Sequence, residues 1–183
     1  YDDQTGKIVE KEITGFMTAM PFRLFADRSN RLWIGAFNSY GNPVLWRINN
    51  DNLETEAVYP VPAKSQNHFG QFISAAWQDD SGIFWFATLQ GLYSFNEKKK
   101  KWQHWQHNAT DKNSLSGDQL LSILPDPKEP GKYLWLGTEG SGLNRFEIAT
   151  GKCKHYTDKE GLPNNVIYGL LSDSAGNIWL SSN

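Results

Sequence analysis

The sequence predicts an all-β chain: a β-propeller of four-stranded antiparallel blades, about four blade-equivalents long. Three observations predict it. A Trp-centred block recurs four times, as Asp27-Arg-Ser-Asn-Arg-Leu-Trp33, Asp79-Asp-Ser-Gly-Ile-Phe-Trp85, Lys132-Tyr-Leu-Trp135 and Asp173-Ser-Ala-Gly-Asn-Ile-Trp179. In three copies an Asp stands six positions before the Trp; in the third, Asp126 stands nine before it, with Pro127 and Pro130 in the added length. The Trp-to-Trp intervals are 52, 50 and 44 residues, and a period in that range carried by strand-like segments marks a blade architecture.

Each blade begins with a short run that is apolar in both alternating sets. In the last copy Val166, Tyr168 and Leu170 form one set and Ile167 and Leu171 the other. A run of this kind reads as a strand buried on both sides. Its equivalents are Met20 to Asp27, Phe72 to Asp79 and Gln119 to Asp126. A tight turn follows. The Asp side chain can accept from backbone amides two residues on, and Gly82 and Gly176 take the positive-φ position, with Asn30 in their place in the first copy. The Trp strand comes next, and small residues after the Trp allow close approach of a neighbouring backbone. A third strand runs over Gly91 to Phe95 and Gly142 to Phe146, with Val44 to Ile48 as a divergent version. The fourth strands, Lys101 to Trp105 and Lys152 to Tyr156, are more polar, as an outer edge requires.

Tyr1 to Lys7 aligns with Phe146 to Lys152, so the chain opens within one repeat and stops within another, as a piece of a larger propeller would. The expected organisation is an outer strand of a preceding blade over 1–14, blades over 15–60, 68–108 and 116–158, and the inner half of a further blade over 162–183. Two unpartnered blade faces follow from this, so the chain is expected to self-associate or to close on itself, with Lys7 to Ile13 beside the half-blade.

Composition narrows the function. Of 183 residues, 39% are hydrophobic and 14% aromatic, enough for a large core. The net charge of −2 gives no electrostatic footprint for nucleic acid. No apolar run is long enough for a membrane-spanning helix, and no signal peptide is recognised. The single cysteine, Cys153, excludes an internal disulfide framework.

The blocks GLPNNVIYGLLSDSAGNIWLSSN and NSLSGDQLLSIL…YLWLGTEGSGLNRFEIATGKCKHY resemble two-component regulator propeller repeats. The resemblance covers nearly the whole chain and weakens from Gly15 to Tyr59, where Val44-Leu45 replaces the Gly-Leu pair of the third strand. It implies a non-catalytic sensor in the periplasm, part of an inner-membrane histidine kinase, reading a small polar ligand such as an oligosaccharide. The kinase motifs themselves are absent from this stretch. Two other readings are a propeller scaffold that mediates dimerisation without a ligand, and a propeller lyase or hydrolase.

Several residues bear on these readings. The four Trp recur at one position, which points to packing rather than to an aromatic floor for a sugar. The Asp residues sit in matched turns, which explains them without metal or catalysis. His104 and His107 stand at i and i+3 on a strand and point to opposite faces, which is not zinc spacing; His104 and His155 occupy equivalent positions. Lys98 to Lys101 reads as a solvated hairpin. Cys153 lacks an activating neighbour and reads as inert. No catalytic residue, metal site or cofactor is assigned. Candidate ligand-binding residues are departures from the repeat on the face shared by loops that lead into each inner strand and loops that join second to third strands. They are Tyr40, His68, Gln90, Glu139 and Asn164, flanked by Asn38, Ser39, Asn67, Ser141 and Asn165. Amides, hydroxyls and a tyrosine suit a hydroxyl-rich ligand.

Overall fold

A computed structural model describes residues 20–37, 43–49, 52, 54–60 and 72–183. Their strands are β1 Met20–Ala26, β2 Leu32–Phe37, β3 Pro43–Ile48, β4 Thr55–Pro60, β5 Ile73–Gln78, β6 Ile83–Thr88, β7 Gly91–Asn96, β8 Lys101–Trp105, β9 Leu120–Pro125, β10 Tyr133–Thr138, β11 Leu143–Glu147, β12 Cys153–Tyr156, β13 Gly169–Ser172 and β14 Ile178–Ser181. They form three four-stranded sheets, each pairing its strands in chain order, and a two-stranded sheet of β13 and β14. Every pairing is antiparallel. The all-β, four-stranded design expected from the repeat is therefore present. The expected strand at 1–14, and with it the closure of Lys7 to Ile13 onto the half-blade, lies outside the described residues.

The chain divides into two compact units, Tyr1–Pro60 and Val61–Asn183. The first holds the sheet β1–β4. Its buried face gathers Ile34, Ala36, Val44, Trp46 and Ile48 from β2 and β3. The second unit holds the other three sheets, and its cores lie between them. Ala75, Trp85, Ala87 and Leu92 of β5–β7 pack with Leu120, Leu134, Leu136, Phe146 and Cys153 of β9–β12. The Trp85 ring lies 5.4 Å from Trp105 and 5.8 Å from Phe146, so one repeat's tryptophan is covered by its own fourth strand and by the next sheet. Aromatic pairs of this kind add about 0.5–1.5 kcal/mol each beyond their buried area. A second core, of Leu143, Ile167 and Leu170, joins β9–β12 to the half-blade.

Inter-sheet packing fixes the small residues. A Cβ on Gly137 would stand 2.3 Å from Ser122 Oγ and 2.7 Å from the Ile167 carbonyl oxygen, so Gly is required where β10 meets the next repeat. A bulge recurs at one place in the repeat: the β1–β2, β5–β6 and β9–β10 registers each skip a residue near the start of the inner strand, at 22, 74 and 121. Bulges bend and twist the strand that carries them.

The half-blade departs from expectation. Its inner strand was expected to be buried on both sides, but only Ile167 and Leu170 are buried, while Tyr168 is 53% and Leu171 72% exposed. Trp179, whose counterparts Trp33 and Trp85 are almost fully buried, is 64% exposed. No other sheet of the second unit packs on that side, so the set facing it stays in solvent.

Candidate functional site

Antiparallel order puts the two kinds of loop at opposite ends of each sheet. Turns between first and second strands lie at one end. Turns between second and third strands lie at the other, with the segment that leads into the first strand.

At the first end, each Asp of the repeat makes a lock. In the four copies its Oδ2 accepts from the indole Nε1 of the Trp: Trp33 to Asp27 at 2.8 Å, Trp85 to Asp79 at 3.0 Å, Trp135 to Asp126 at 3.0 Å and Trp179 to Asp173 at 3.0 Å. Its Oδ1 accepts the backbone N–H two residues on, from Ser29, Ser81, Lys128 and Ala175. The turn role expected for the Asp is present, and Asn30, Gly82 and Gly176 have positive φ as expected. The indole bond was not anticipated, although the fixed offset of six was its trace. Burial presses the Asp27 carboxyl upward, but bonds from Trp33 and Arg31 and the Arg31 charge outweigh it and hold the group low. At Asp173, bonds from the Asn177 and Trp179 side chains bring the value to about 2. The Asp27 and Asp173 carboxylates are held ionised by structural donors, and in all four copies both oxygens accept bonds.

At the other end lies the rim on which the ligand-binding candidates were placed. Tyr40 and His68, with Asn38, Ser39 and Asn67, lie outside the described residues. Gln90, Glu139 and Asn164 are described, and successive turns are stitched together there. Thr88 Oγ1 donates to the Gly91 carbonyl at 2.8 Å and accepts from Gln90 N at 3.0 Å; Thr138 repeats this with Gly142 and Ser141 at 2.7 and 2.9 Å. Gly91 N then donates to the Asp118 carbonyl at 2.7 Å, and Glu139 N to the Gln119 carbonyl at 2.9 Å. Gly140 N and Gly142 N donate to Asn165 O, and Glu139 forms a bridge with Val166. Glu139 thus belongs to a backbone network within the second unit, and Gln90 and Asn164 stand next to its members Gly91 and Asn165. Their side chains differ in availability. Asn164 Oδ1 is engaged by Val166 N at 2.8 Å, whereas Glu139 is exposed. Asn165 is a turn residue, paired through its side chain with Asp158.

The three described histidines each bond a carbonyl. His104 Nε2 donates to the Gln90 carbonyl and His155 Nε2 to the Ser114 carbonyl, each at 2.7 Å. His107 Nδ1 donates to the Leu115 carbonyl. Cys153 is buried, and burial, then the nearby Asp111 charge, pushes its thiol up to about 12, which leaves no thiolate. Lys98, Lys99 and Lys100 are exposed in the β7–β8 hairpin. Among the described residues, no three His, Cys, Asp or Glu converge to hold a metal.

One feature of the described residues escaped the sequence reading. A cleft of about 360 Å³ opens between the enlarged β9–β10 hairpin and the β13–β14 turn, at the end opposite the rim. Lys128, Glu129 and Arg145 line it. Its signal was the three-residue lengthening after Asp126, the one turn that breaks the offset of six.

The repeated lock, the stitched rim and the four-stranded sheets define a propeller-blade array. The resemblance read from the sequence is borne out: residues 161–183 match the family model of the two component regulator propeller, so the last repeat is one of that family. The chain is 27% identical over 134 residues to Histidine kinase P4 of Formosa agariphila, a match over 72% of this chain and 9% of that protein. In fold it is similar to the extracellular domain assigned to the hybrid two component system BT3049 of B. thetaiotaomicron. The TM-score is 0.69 at 22% identity, over 87% of this chain and 22% of that one. It is also similar to the WD40 beta propeller domain of Doa1, with TM-score 0.59 at 13% identity, over 89% of this chain and 48% of that one. The chain therefore spans about a tenth of the kinase and under a quarter of the extracellular domain. No helix among the described residues is long and apolar enough to cross a membrane.

Proposed function

We propose that this chain is a non-catalytic sensing module of a two-component signal-transduction system, placed in the periplasm, and that it reads a small polar ligand such as an oligosaccharide. On this reading the whole protein is a histidine kinase of the inner membrane. The observation that carries the proposal is the rim: backbone bonds from Gly91 to Asp118 and from Glu139 to Gln119 tie successive turns together, with Glu139 open to solvent. Preorganised polar groups on a rigid scaffold are what a hydroxyl-rich ligand requires. The family of the last repeat and the extracellular setting of the BT3049 domain support the cellular role.

A thermal-shift screen against a panel of oligosaccharides tests it. A ligand that binds only the folded state raises the midpoint, by about 2.7 kcal/mol of stability at a hundred times its Kd. The expected result is a shift with at least one member, lost in Glu139→Ala while the unliganded midpoint stays put. A shift that Glu139→Ala leaves intact would remove the rim from the proposal. No shift with any member would favour the scaffold reading.

A further inference from the structure

We propose that the cleft between the β9–β10 hairpin and the β13–β14 turn binds a hydroxylated carboxylate about one sugar ring in size, through Lys128, Arg145 and Asn177 beside the Trp135 indole. The site is separate from the rim and does not depend on what the rim reads.

The argument starts from charge. Asp126 has both oxygens occupied: Oδ1 accepts from the Lys128 and Glu129 amides at 3.0 and 3.1 Å, and Oδ2 from Trp135 Nε1 and Arg145 Nε at 3.0 and 2.9 Å. Glu129 accepts from Lys132 Nζ at 2.8 Å and from Arg145 Nη2 at 2.9 Å. Two carboxylates are thus matched by Arg145 and Lys132. Lys128, the third cation, lines the cleft with no carboxylate partner among the described residues. Asp173, the carboxylate that Asn177 binds, forms no ion pair with Lys128, so the Lys128 ammonium is left as a donor for an incoming carboxylate. Arg145 adds directional donors, since its pairs use Nε and Nη2 while the guanidinium carries five N–H groups in all.

The rest of the wall specifies more than an anion. Asn177 donates from Nδ2 to Asp173 Oδ2 at 2.9 Å, which fixes the amide so that Oδ1 remains as an acceptor for a hydroxyl. Half-buried Trp135, with Ile178, gives an apolar surface for C–H groups. The two turns face each other across the cleft, with Lys128 on one side and Gly176 and Asn177 on the other. The volume of about 360 Å³ is in the range of small-molecule sites. An anion donor pair, a hydroxyl acceptor and an apolar wall describe a sugar acid better than a simple anion or a neutral sugar.

Titration calorimetry with glucuronate tests this, with glucose and acetate as partial probes. For a ligand of this size in an open cleft, a Kd of about 1 mM is expected. Glucose and acetate should each bind at least about tenfold more weakly, since each lacks half of the complement. Lys128→Ala should weaken glucuronate about tenfold, with the melting midpoint unchanged because its ammonium has no structural partner. Glu139→Ala on the rim should leave glucuronate binding as it was. The proposal is overturned if glucuronate shows no saturable binding, if acetate matches it, or if Lys128→Ala binds it as the parent does. Loss of binding in Glu139→Ala but not in Lys128→Ala would overturn it too, and would move the ligand to the rim.

Discussion

At the scale of single residues, the Asp–Trp lock is the repeated unit of this chain. One carboxylate closes a turn with one oxygen and fixes an indole with the other. The same bonds are made in different surroundings, and surroundings set their worth. Asp79 and Trp85 are nearly inaccessible, so without the carboxylate the Trp85 N–H and the amides of Ser81 and Ile83 lose their acceptor where water does not readily replace it. Asp79→Ala is expected to cost about 3 kcal/mol. Asp173 and Trp179 make the equivalent bonds in the open, where water substitutes, so Asp173→Ala should leave the urea midpoint almost unmoved. Urea midpoints of the two variants check this, and equal losses would mean that the lock acts through the turn alone.

At the scale of elements, the sheets are joined by backbone approach as much as by side chains. Gly137 is the clearest case, because its conformation is not special and only the neighbouring Ser122 and Ile167 exclude a side chain. Gly137→Ala is expected to destabilise the second unit by about 1–3 kcal/mol, the usual cost of overpacking a tight contact. Hydrogen exchange should locate the damage. The amide of Ile167, which donates to the Thr138 carbonyl at 2.9 Å, should lose protection while β5–β8 keep theirs. Uniform loss across both regions would contradict a local role. The outer edge shows the same economy of backbone: Cys153 N donates to Asn113 O at 2.7 Å, so the segment before β9 covers the edge of β12 that would otherwise be free to template aggregation.

At the scale of the molecule, the half-blade is expected to govern how this chain associates in solution. Tyr168, Leu171 and Trp179 are all more than half exposed, and β14 pairs with β13 alone. Apolar exposure of this kind, beside an unpaired strand edge, drives association. Light scattering is expected to give a mass above one chain that falls on dilution, and Leu171→Lys with Trp179→Lys should return it to one chain. A parent chain that is monomeric at every concentration would remove this prediction.

Much of this was legible in the residues. The interval between tryptophans, the two-sided apolar runs and the Asp-to-Gly turns depend on local chemistry repeated at a fixed spacing, and they specified strands, sheet order and the role of the Asp. The packing of Trp85 followed from the same repetition, and the inert reading of Cys153 from its lack of an activating neighbour. The sequence also placed the turn at Glu139 and the segment at Asn165 at the same end of their sheets, since antiparallel order does so, but the bonds between them come from the packing of one sheet on the next. Other features needed the tertiary structure. Burial of the last inner strand could not be read from its own residues, because it depends on whether another sheet lies beside it. The bulges at 22, 74 and 121 leave no compositional mark. The cleft by Lys128 joins a hairpin to a turn some fifty residues further along, and its one unmatched cation emerges only when Asp126, Glu129, Lys132 and Arg145 are seen to satisfy one another. Local chemistry is written along the chain, whereas burial, charge balance and cavities arise between segments whose separation in sequence says nothing of their distance in space.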